Sequence, residues 1–228
     1  MPLLAVETLD GDLLDEMPAF KRRMEWFTKN KESVSVNISC MYRPGEKQRR
    51  LMAFLTKDRL VRVLERMFDE KEFLSPYGIR SLSKIYENEP YTCEIKGQSF
   101  CIGYEPGESQ TEMFGGNSNW RGPVWFPINF LIIEALQRFH HYWGEDLMVE
   151  FPTGSGNEMT LWDISQELSR RLTKLFLPDG SGVRPSQEFW PEHVLFYEYF
   201  HGDTGRGLGA SHQTGWTALV AKLLQQSG

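Results

Sequence analysis

The chain has 228 residues, 40% of them hydrophobic, which is enough apolar material for the core of one large domain or a generous half of one. Its formal net charge of −6 argues against non-specific nucleic-acid binding, because that binding relies on basic residues that neutralise phosphates. The first residues lack the basic region of a signal peptide, and no apolar run is long enough to span a bilayer, so we expect no membrane association.

Apolar residues at helical spacing predict three helices in the first half of the chain. Residues 2–9 fit the end of one helix, and residues 15–27 fit a second helix whose first aspartate is the N-cap. The segment 56–69 fits a third helix, capped by its threonine and carrying one apolar stripe that would face a core. Between the second and third helices, 31–50 is polar and basic, with a turn signal at 43–45.

The second half of the chain predicts a short hairpin and three further helices. Residues 91–103 alternate around a Lys-Gly pair and fit two antiparallel strands. A long helix ends near Trp143, a fifth helix covers 160–176 with its threonine as N-cap, and Ser211 is a candidate cap for the sixth. Six helices with long loops and almost no strand predict an all-α protein of helical hairpins packed side by side. Six helices would fit half of a closed ring of such hairpins.

Metal and cofactor sites are not indicated by the sequence. The three cysteines, Cys40, Cys93 and Cys101, lack metal-ligand spacing, and their odd number implies no disulfide framework, so a reducing, cytoplasmic compartment is expected. Cys93 and Cys101 flank the hairpin and could lie near each other, but we expect free buried thiols. The glycines of 205–209 resemble a phosphate loop only superficially, because the preceding strand and the Lys-Ser/Thr pair are missing.

Three loops carry residues that a helical scaffold does not need. They are 76–81, 119–125 and the aromatic stretch around Glu198, and each precedes a helix or a turn, so all three could lie at one end of the bundle. A carboxyl group among aromatic rings is partly desolvated, which suits proton transfer near neutrality. Rings beside a carboxylate also suit a sugar. The alternative is a loop that closes a core, with Glu198 merely accepting a backbone hydrogen bond.

Several residues in and near these loops allow two interpretations. Arg121 could clamp a substrate or pair with a carboxylate of a loop. Trp120 and Trp125 could be platforms for sugar rings, or core rings that seal the start of the long helix. Asn129 lies one turn beyond Trp125 on an otherwise apolar helix, where an unpaired amide is costly, and this favours a ligand contact.

Four motifs occur together in a specific order. They are 77–83 (Tyr-Gly-Ile-Arg-Ser-Leu-Ser), 119–125 (Asn-Trp-Arg-Gly-Pro-Val-Trp), 196–199 (Phe-Tyr-Glu-Tyr) and 214–220 (Thr-Gly-Trp-Thr-Ala-Leu-Val). The set resembles the catalytic domain of glycoside hydrolase family 63, which includes processing α-glucosidase I and bacterial α-glucosidases, and to which mannosylglycerate hydrolases are similar. The resemblance covers nearly the whole chain.

The resemblance implies an (α/α)6 barrel, with 1–228 as its C-terminal part, and inverting hydrolysis of an α-glucosidic or α-mannosidic bond in an oligosaccharide or glycoside. By position in its motif, Glu198 matches the general base that activates water. The resemblance assigns substrate contacts to Tyr77, Gly78, Arg80, Trp120, Arg121, Trp125, Asn129 and Trp216. The family's general acid, an aspartate in an Asp-Gly-aromatic segment, has no match here, so we expect it in a missing N-terminal half of the same polypeptide.

Two other functions are compatible with the sequence. A carbohydrate-binding or scaffold protein would keep the aromatic subsite without hydrolysis, and a truncated gene product would have no activity of its own. The absent acid motivates both, because general acid–base groups typically contribute about 10²–10⁴-fold to a rate. Oligosaccharide binding without sugar release would indicate the first, and non-cooperative unfolding of the isolated chain would favour the second.

Overall fold

A computed structural model describes residues 2–31, 38, 43–108, 120–187 and 192–227. Within these ranges the α-helices are α1 (Gly11–Glu16), α2 (Pro18–Asn30), α3 (Lys57–Met67), α4 (Phe126–Trp143), α5 (Leu161–Thr173), α6 (Thr214–Thr217) and α7 (Val220–Ser227). Short 3-10 helices cover Pro2–Leu4, Glu46–Gln48, Lys84–Glu87 and Gly144–Asp146. No helix in this described part is long and apolar enough to cross a membrane.

Ten short strands form five separate two-stranded antiparallel sheets in the described residues. The pairs are β1 (Val6–Leu9) with β2 (Arg50–Ala53), β3 (Leu74–Ser75) with β4 (Gly78–Ile79), β5 (Tyr91–Ile95) with β6 (Gln98–Ile102), β7 (Met148–Glu150) with β8 (Glu158–Thr160), and β9 (Tyr199–Phe200) with β10 (Gly207–Leu208). The prediction of an all-α chain with almost no strand was therefore wrong, since helices and small sheets are mixed. Strands this short contain too little alternation to be recognised in a sequence. The (α/α)6 barrel stays a prediction.

The chain divides into two compact units. Unit 1 comprises Met1–Glu65, Leu131–Phe151 and Gly156–Ser165, and unit 2 comprises Arg66–Phe130, Pro152–Ser155 and Gln166–Gly228. The larger buried side chains of unit 1 include Leu51, Leu60, Leu64, Ile133, Leu136, Phe139 and Phe151. Those of unit 2 include Phe68, Leu74, Phe126, Leu172, Leu175, Phe200 and Leu223. Each unit thus contains apolar residues of helices and of strands in its interior.

The start of unit 1 differs from the sequence prediction. Residues 6–9 form a strand instead of the end of a helix, because β2 supplies backbone partners, with Val6 opposite Ala53. The second helix begins at Pro18 rather than at an aspartate cap, since proline lacks an N–H and suits the first helical turn. The predicted cap, Asp15, lies inside α1, and its carboxylate accepts from Lys21 Nζ at 2.6 Å.

The α5 cap and the predicted hairpin are confirmed. Thr160 Oγ1 accepts a hydrogen bond from the Asp163 N–H at 3.2 Å, as an N-cap does. In unit 2, β5 and β6 form the expected hairpin, and its turn residues Lys96 and Gly97 have φ of 54° and 76°. Positive φ at both positions is typical of the tight turns that join antiparallel strands.

Two further details of unit 2 correct the predictions. Cys93 and Cys101 are free thiols, but Cys101 is exposed and Cys93 only partly buried, so the expectation of buried thiols was wrong. Ser211 does not cap the last helix. Its carbonyl accepts from the Phe196 N–H at 3.1 Å, and helix begins only at Thr214, because backbone pairing with the Glu198 stretch keeps this segment out of the helix. Cys40 lies outside the described residues.

Candidate functional site

Backbone pairing in unit 2 brings together the three loops that the sequence singled out. Val124 forms antiparallel bridges with Arg80 on one side and Phe200 on the other. Val124 and Phe200 exchange two backbone hydrogen bonds of 2.8 and 3.0 Å, and the Ser81 N–H donates to the Pro123 carbonyl at 3.0 Å. These bonds join the 76–81 loop, the end of the 119–125 loop and the Glu198 stretch into one site. The part of the second loop before residue 120 lies outside the described residues.

Asn129 on α4 fixes the hairpin of the first loop. Its side chain is 2% exposed, its Oδ1 accepts from the Ile79 N–H at 2.7 Å, and its Nδ2 donates to the carbonyls of Ile79 (3.0 Å) and Trp125 (2.9 Å). Gly78 leaves room for the amide, because a Cβ there would lie 2.8 Å from Asn129 Oδ1 and its φ is +138°. The chain itself therefore supplies hydrogen-bond partners for this buried amide, and the predicted substrate contact of Asn129 stays a prediction.

Four aromatic rings from the second loop, β9 and α6 form a cluster around Trp125. Trp120 stacks on Trp125 with ring centroids 4.4 Å apart and planes 2° from parallel. The Trp125 ring also contacts the rings of Tyr199 and Trp216, whose centroids lie 5.3 and 5.4 Å away. Trp125 is only 5% exposed, whereas Trp120 and Trp216 are 53% and 41% exposed. The core interpretation therefore fits Trp125, and the two outer rings present apolar surface to solvent.

Glu198 lies next to this cluster, beside Tyr199 in the chain. The carboxylate is partly buried, and its Oε2 accepts from the Ala210 N–H at 3.3 Å. Gly209 packs against it: a Cβ at this position would lie 2.8 Å from Glu198 Oε2 and 2.7 Å from Tyr199 Cε1, and the residue has φ of +69°. A glycine is thus required both by the backbone conformation and by the position of the carboxylate. One Glu198 oxygen accepts a backbone bond, as the alternative interpretation expected, while the group remains partly accessible.

Two carboxylates act on the phenol of Tyr199. Burial, together with the negative charges of Glu108 and Glu198, raises the pKa of Tyr199 to about 12. The hydroxyl is therefore neutral at physiological pH. Both carboxylates must lie within electrostatic reach of this phenol, although Glu108 was not predicted as a site residue.

Both arginines of the predicted site pair with carboxylates of loops. Arg121 is 3% exposed and its Nη2 lies 2.7 Å from Glu105 Oε2. Of the two interpretations of Arg121, the loop carboxylate is the one that the contacts support. Arg80 is 5% exposed, its Nη1 donates to the Leu74 carbonyl, and its Nη2 lies 3.0 Å from Asp203 Oδ1. Substrate contacts of these two residues stay predictions, since each buried guanidinium already has a partly buried carboxylate as its partner.

Asp203 is a hub that the sequence predictions missed. Its Oδ1 accepts from Arg80, from Lys84 Nζ at 3.1 Å and from the Tyr104 hydroxyl at 3.2 Å. Burial acts to raise the pKa of Asp203, but the hydrogen bonds and charges of Arg80 and Lys84 outweigh it and hold the pKa below its usual value. A carboxylate only five residues after Glu198 in a glycine-rich bend was the available signal.

The bend that follows β9, residues 201–206, is closed by hydrogen bonds within its own backbone. The His201 N–H donates to the Arg206 carbonyl at 2.8 Å, and the Gly205 N–H donates to the His201 carbonyl at 2.9 Å. The ring of Tyr77 covers Gly205, because a Cβ there would lie 2.9 Å from Tyr77 Cε1 and the φ is +75°. Tyr77, a residue of the first loop, thus connects that loop with this bend.

Metal ligands are not grouped in the part of the chain described here. No set of three or more His, Cys, Asp and Glu residues in those ranges could hold an ion. The site instead combines a carboxylate, stacked tryptophans and two buried arginines that pair with partly buried carboxylates. Such an arrangement can bind a ring with apolar faces and many hydroxyls, and can move a proton at the Glu198 carboxylate.

Comparison with known proteins gives a consistent family. The model of the mannosylglycerate hydrolase MGH1-like glycoside hydrolase domain matches residues 51–217. An uncharacterized protein of Saccharomyces cerevisiae is 48% identical over 100% of this chain and 22% of its own length. The mannosyl-oligosaccharide glucosidase of the same yeast is 27% identical over 73% of this chain and 15% of its own length. A probable mannosyl-oligosaccharide glucosidase of Schizosaccharomyces pombe is 29% identical over 74% and 16%. The chain therefore spans less than a quarter of the length of these relatives.

Proposed function

Because the chain belongs to the mannosylglycerate hydrolase MGH1-like glycoside hydrolase family, we propose that it is part of an enzyme that hydrolyses an α-glycosidic bond with Glu198 as the general base. One observation carries this proposal. The bridges from Val124 to Arg80 and to Phe200 bring the Glu198 stretch beside the tryptophans of the second loop. A carboxylate and partly exposed aromatic rings therefore lie close together, which supports the proposal.

The exposed rings are proposed to bind the sugar. Trp120 and Trp216 are half exposed, and both contact the buried Trp125, which holds them in place. The C–H faces of a pyranose can pack on such rings, while its hydroxyls need acceptors that the nearby carboxylates can provide. Trp125 itself then supports the platform from beneath rather than contacting the sugar.

Glu198 is proposed to take a proton from the attacking water. The Ala210 N–H holds one oxygen of the carboxylate, and the backbone of Gly209 packs against the same oxygen. This leaves the other oxygen, Oε1, to accept the proton. A fixed carboxylate is what general-base catalysis requires, because the group must stay within hydrogen-bond reach of the water.

The remaining polar residues of the predicted site are proposed to position the loops. Asn129 ties the first loop to α4, and Gly78 makes room for its amide. Arg80 joins the first loop to the Glu198 bend through Asp203, while Arg121 joins the second loop to Glu105. Tyr77 covers the bend. Each contact fixes a loop to a neighbouring element, which keeps Glu198 and the tryptophans in fixed positions relative to one another.

We propose an inverting mechanism, in which a second carboxyl group protonates the leaving oxygen. In inverting enzymes the two carboxyls stand roughly 6.5–9.5 Å apart, so that a water molecule fits between the base and the sugar. The proton donor is proposed to belong to a part of the polypeptide outside these 228 residues. Support comes from the relatives, of whose length the chain covers 15–22%.

The proposed substrate is a glucosylated oligosaccharide. Two relatives are named mannosyl-oligosaccharide glucosidases, and a third relative, from Arabidopsis thaliana, is named alpha-glucosidase 2. An α-glucosyl unit at the non-reducing end of a larger glycan has apolar faces and hydroxyls that these rings and carboxylates could bind. We further propose that residues 1–228 form the C-terminal part of an (α/α)6 catalytic domain in a cytoplasmic enzyme.

The test is the substitution Glu198→Gln in the full-length protein. It keeps the size of the side chain and its acceptor for the Ala210 N–H but removes the base, so turnover should fall by about 10²–10⁴-fold. The matched control is Glu192→Gln, an exposed carboxylate of the same segment whose side chain is 61% accessible. Turnover is measured as glucose release from α-linked glucose disaccharides (maltose, nigerose, kojibiose and isomaltose).

Two outcomes would contradict the proposal. If Glu198→Gln retains more than about a tenth of the turnover of the parent while Glu192→Gln is unchanged, Glu198 is not the base. If ¹H NMR shows α-glucose as the first product, the mechanism retains configuration and is not inverting. The proposal expects β-glucose first, before mutarotation.

A further inference from the structure

One histidine of the Glu198 stretch has an unusual set of contacts. His201 Nδ1 accepts backbone hydrogen bonds from Asp203 N (3.2 Å) and Thr204 N (3.3 Å). An imidazole nitrogen that accepts carries no proton, so the neutral ring must hold its proton on Nε2. The backbone of the bend therefore fixes His201 as a hydrogen-bond donor through Nε2.

The electrostatic surroundings keep this ring neutral. Burial is the main cause that lowers the pKa of His201 below its usual 6.5, and Arg206 and Lys84 act in the same direction against the opposing charge of Asp203. At neutral pH the ring is then uncharged, with one donor nitrogen. Among the described residues, Nε2 has no hydrogen-bond partner, whereas Nδ1 has two.

His201 lines a pocket of about 540 Å³. A Cβ at Gly107 would lie 3.1 Å from His201 Cδ2 and 3.5 Å from Nε2, so this edge of the ring packs on the backbone of the segment that lines the pocket. The pocket is lined by Tyr104, Glu105, Pro106, Gly107, Glu108, His201 and Arg206. Its volume lies within the range of about 300–1,000 Å³ that is typical of small-ligand sites.

The lining of this pocket suits a polyol. Glu105 and Glu108 supply carboxylate acceptors, while Arg206 and His201 supply donors. Acceptors and donors in one pocket match the hydroxyls of a sugar, each of which donates one hydrogen bond and accepts others. Glu108, which lines the pocket, and Glu198 both act electrostatically on the Tyr199 phenol, so the pocket includes a residue near the proposed base.

We propose that His201 binds substrate, by donating from Nε2 to a hydroxyl of a sugar ring held in the pocket formed by residues 104–108, 201 and 206. This inference rests on the proposed glycosidase function, and it adds a specificity-determining residue that lies outside the tryptophan platform. A sugar without the recognised hydroxyl would leave Nε2–H unpaired and would bind less well.

Two substitutions separate the two nitrogens of the ring. In His201→Asn, Oδ1 takes the position of Nδ1 and can still accept from Asp203 N and Thr204 N, but the donor at Nε2 is lost. In His201→Gln, the amide nitrogen reaches the position of Nε2, but the acceptor for the bend is lost. His193→Asn, at an exposed histidine of the same segment, is the matched control.

The full-length protein is assayed for glucose release from the four α-linked disaccharides. The substrate role predicts that His201→Asn raises KM about 3- to 10-fold with kcat within about twofold and an unchanged Tm, since one neutral hydrogen bond is lost on binding. It predicts that His201→Gln lowers Tm but has a KM closer to the parent. A purely structural role predicts the opposite: His201→Asn is normal in KM and Tm, and only His201→Gln is impaired. That pattern would overturn the inference.

A binding measurement keeps the result independent of catalysis. In the full-length Glu198→Gln protein, ¹⁵N-edited NMR of the histidine side chains should place the proton of His201 on Nε2. Binding of a disaccharide should change the chemical shift of this nitrogen. The chemical shift of Nδ1 should change less, because its hydrogen bonds with the backbone stay the same. Binding of a disaccharide without a shift of Nε2 would overturn the role of His201, while the proposed function would stand. Turnover retained in Glu198→Gln would instead contradict the proposed function.

Discussion

The substitution Asn129→Leu tests whether the buried amide of α4 supports the fold or serves a ligand. Leucine has a similar volume and no polar atoms, so the change removes all three side-chain hydrogen bonds, those with the Ile79 N–H and with the carbonyls of Ile79 and Trp125. The Trp125 carbonyl keeps a partner, because it also accepts from the N–H of residue 129 at 3.1 Å. The main losses are therefore the two bonds with the backbone of Ile79.

The expected loss in the free energy of unfolding follows from these two lost hydrogen bonds. A buried donor that is left without a partner costs about 1–3 kcal/mol, and a lost neutral hydrogen bond contributes about 0.5–1.5 kcal/mol. Since Asn129 is 2% exposed, water cannot easily replace the amide. We expect Asn129→Leu to lower the free energy of unfolding by about 2–4 kcal/mol.

The assay is urea unfolding of the protein followed by tryptophan fluorescence, together with hydrogen exchange of the Ile79 amide. Gln137→Leu is the matched control. Gln137 is also a buried amide on α4, but its side-chain hydrogen bond to Ser165 Oγ is long, at 3.4 Å, and therefore weak. The control should cost clearly less than Asn129→Leu. A loss below about 0.5 kcal/mol for Asn129→Leu, with unchanged exchange at Ile79, would refute the structural role and favour the ligand contact.

Two further predictions concern the bend around Glu198. Gly209→Ala should lower kcat/KM for glucose release at least tenfold, because the φ of +69° at this position disfavours alanine and the new Cβ would lie 2.8 Å from Glu198 Oε2. The control is Gly215→Ala, which should be neutral in the same assay, because a Cβ at that position would have no atom within 4 Å. Equal activity of the two variants would contradict this account. Asp203→Asn should destabilise the protein at pH 7 by about 2–4 kcal/mol, because it leaves the buried Arg80 without its carboxylate. Because the pKa of Asp203 is lowered in the folded protein, its carboxylate stabilises the fold above pH 3.8, and this stabilisation is lost as the pH falls through the folded-state pKa. When urea unfolding is repeated across pH, the free energies of unfolding of parent and variant should therefore converge in acid. A difference that does not shrink in acid would count against the ion pair as its source.

Much of the helical framework could be predicted from the sequence. The apolar stripe of 56–69 corresponds to α3, and the threonine before α5 is a true N-cap, because a cap and a helical period are local signals. The hairpin at 91–103 was predicted for the same reason, since a Lys-Gly pair at positive φ is recognisable within a few residues. These elements depend on neighbours only a few positions away in the chain.

Elements that depend on distant partners were mispredicted. Residues 6–9 are a strand only because Arg50–Ala53 pairs with them, more than forty positions along the chain. Ser211 fails as a cap because Phe196 binds its carbonyl. In both places a backbone partner from elsewhere outweighs the local preference, and such partners leave no periodic pattern in the sequence.

The sequence by itself determined the family, the three loops and the identity of the candidate base. Four motifs in order were enough for this, because together they resemble one family, whereas any one of them alone would be weak. The tertiary structure decided which roles those residues can have. It buries Trp125 under the exposed Trp120, and it pairs Arg80 and Arg121 with carboxylates that lie far away in sequence. It also turns the His201 ring so that one nitrogen is held by the backbone. Burial and pairing are properties of three-dimensional neighbours, and a linear motif contains no distances between them.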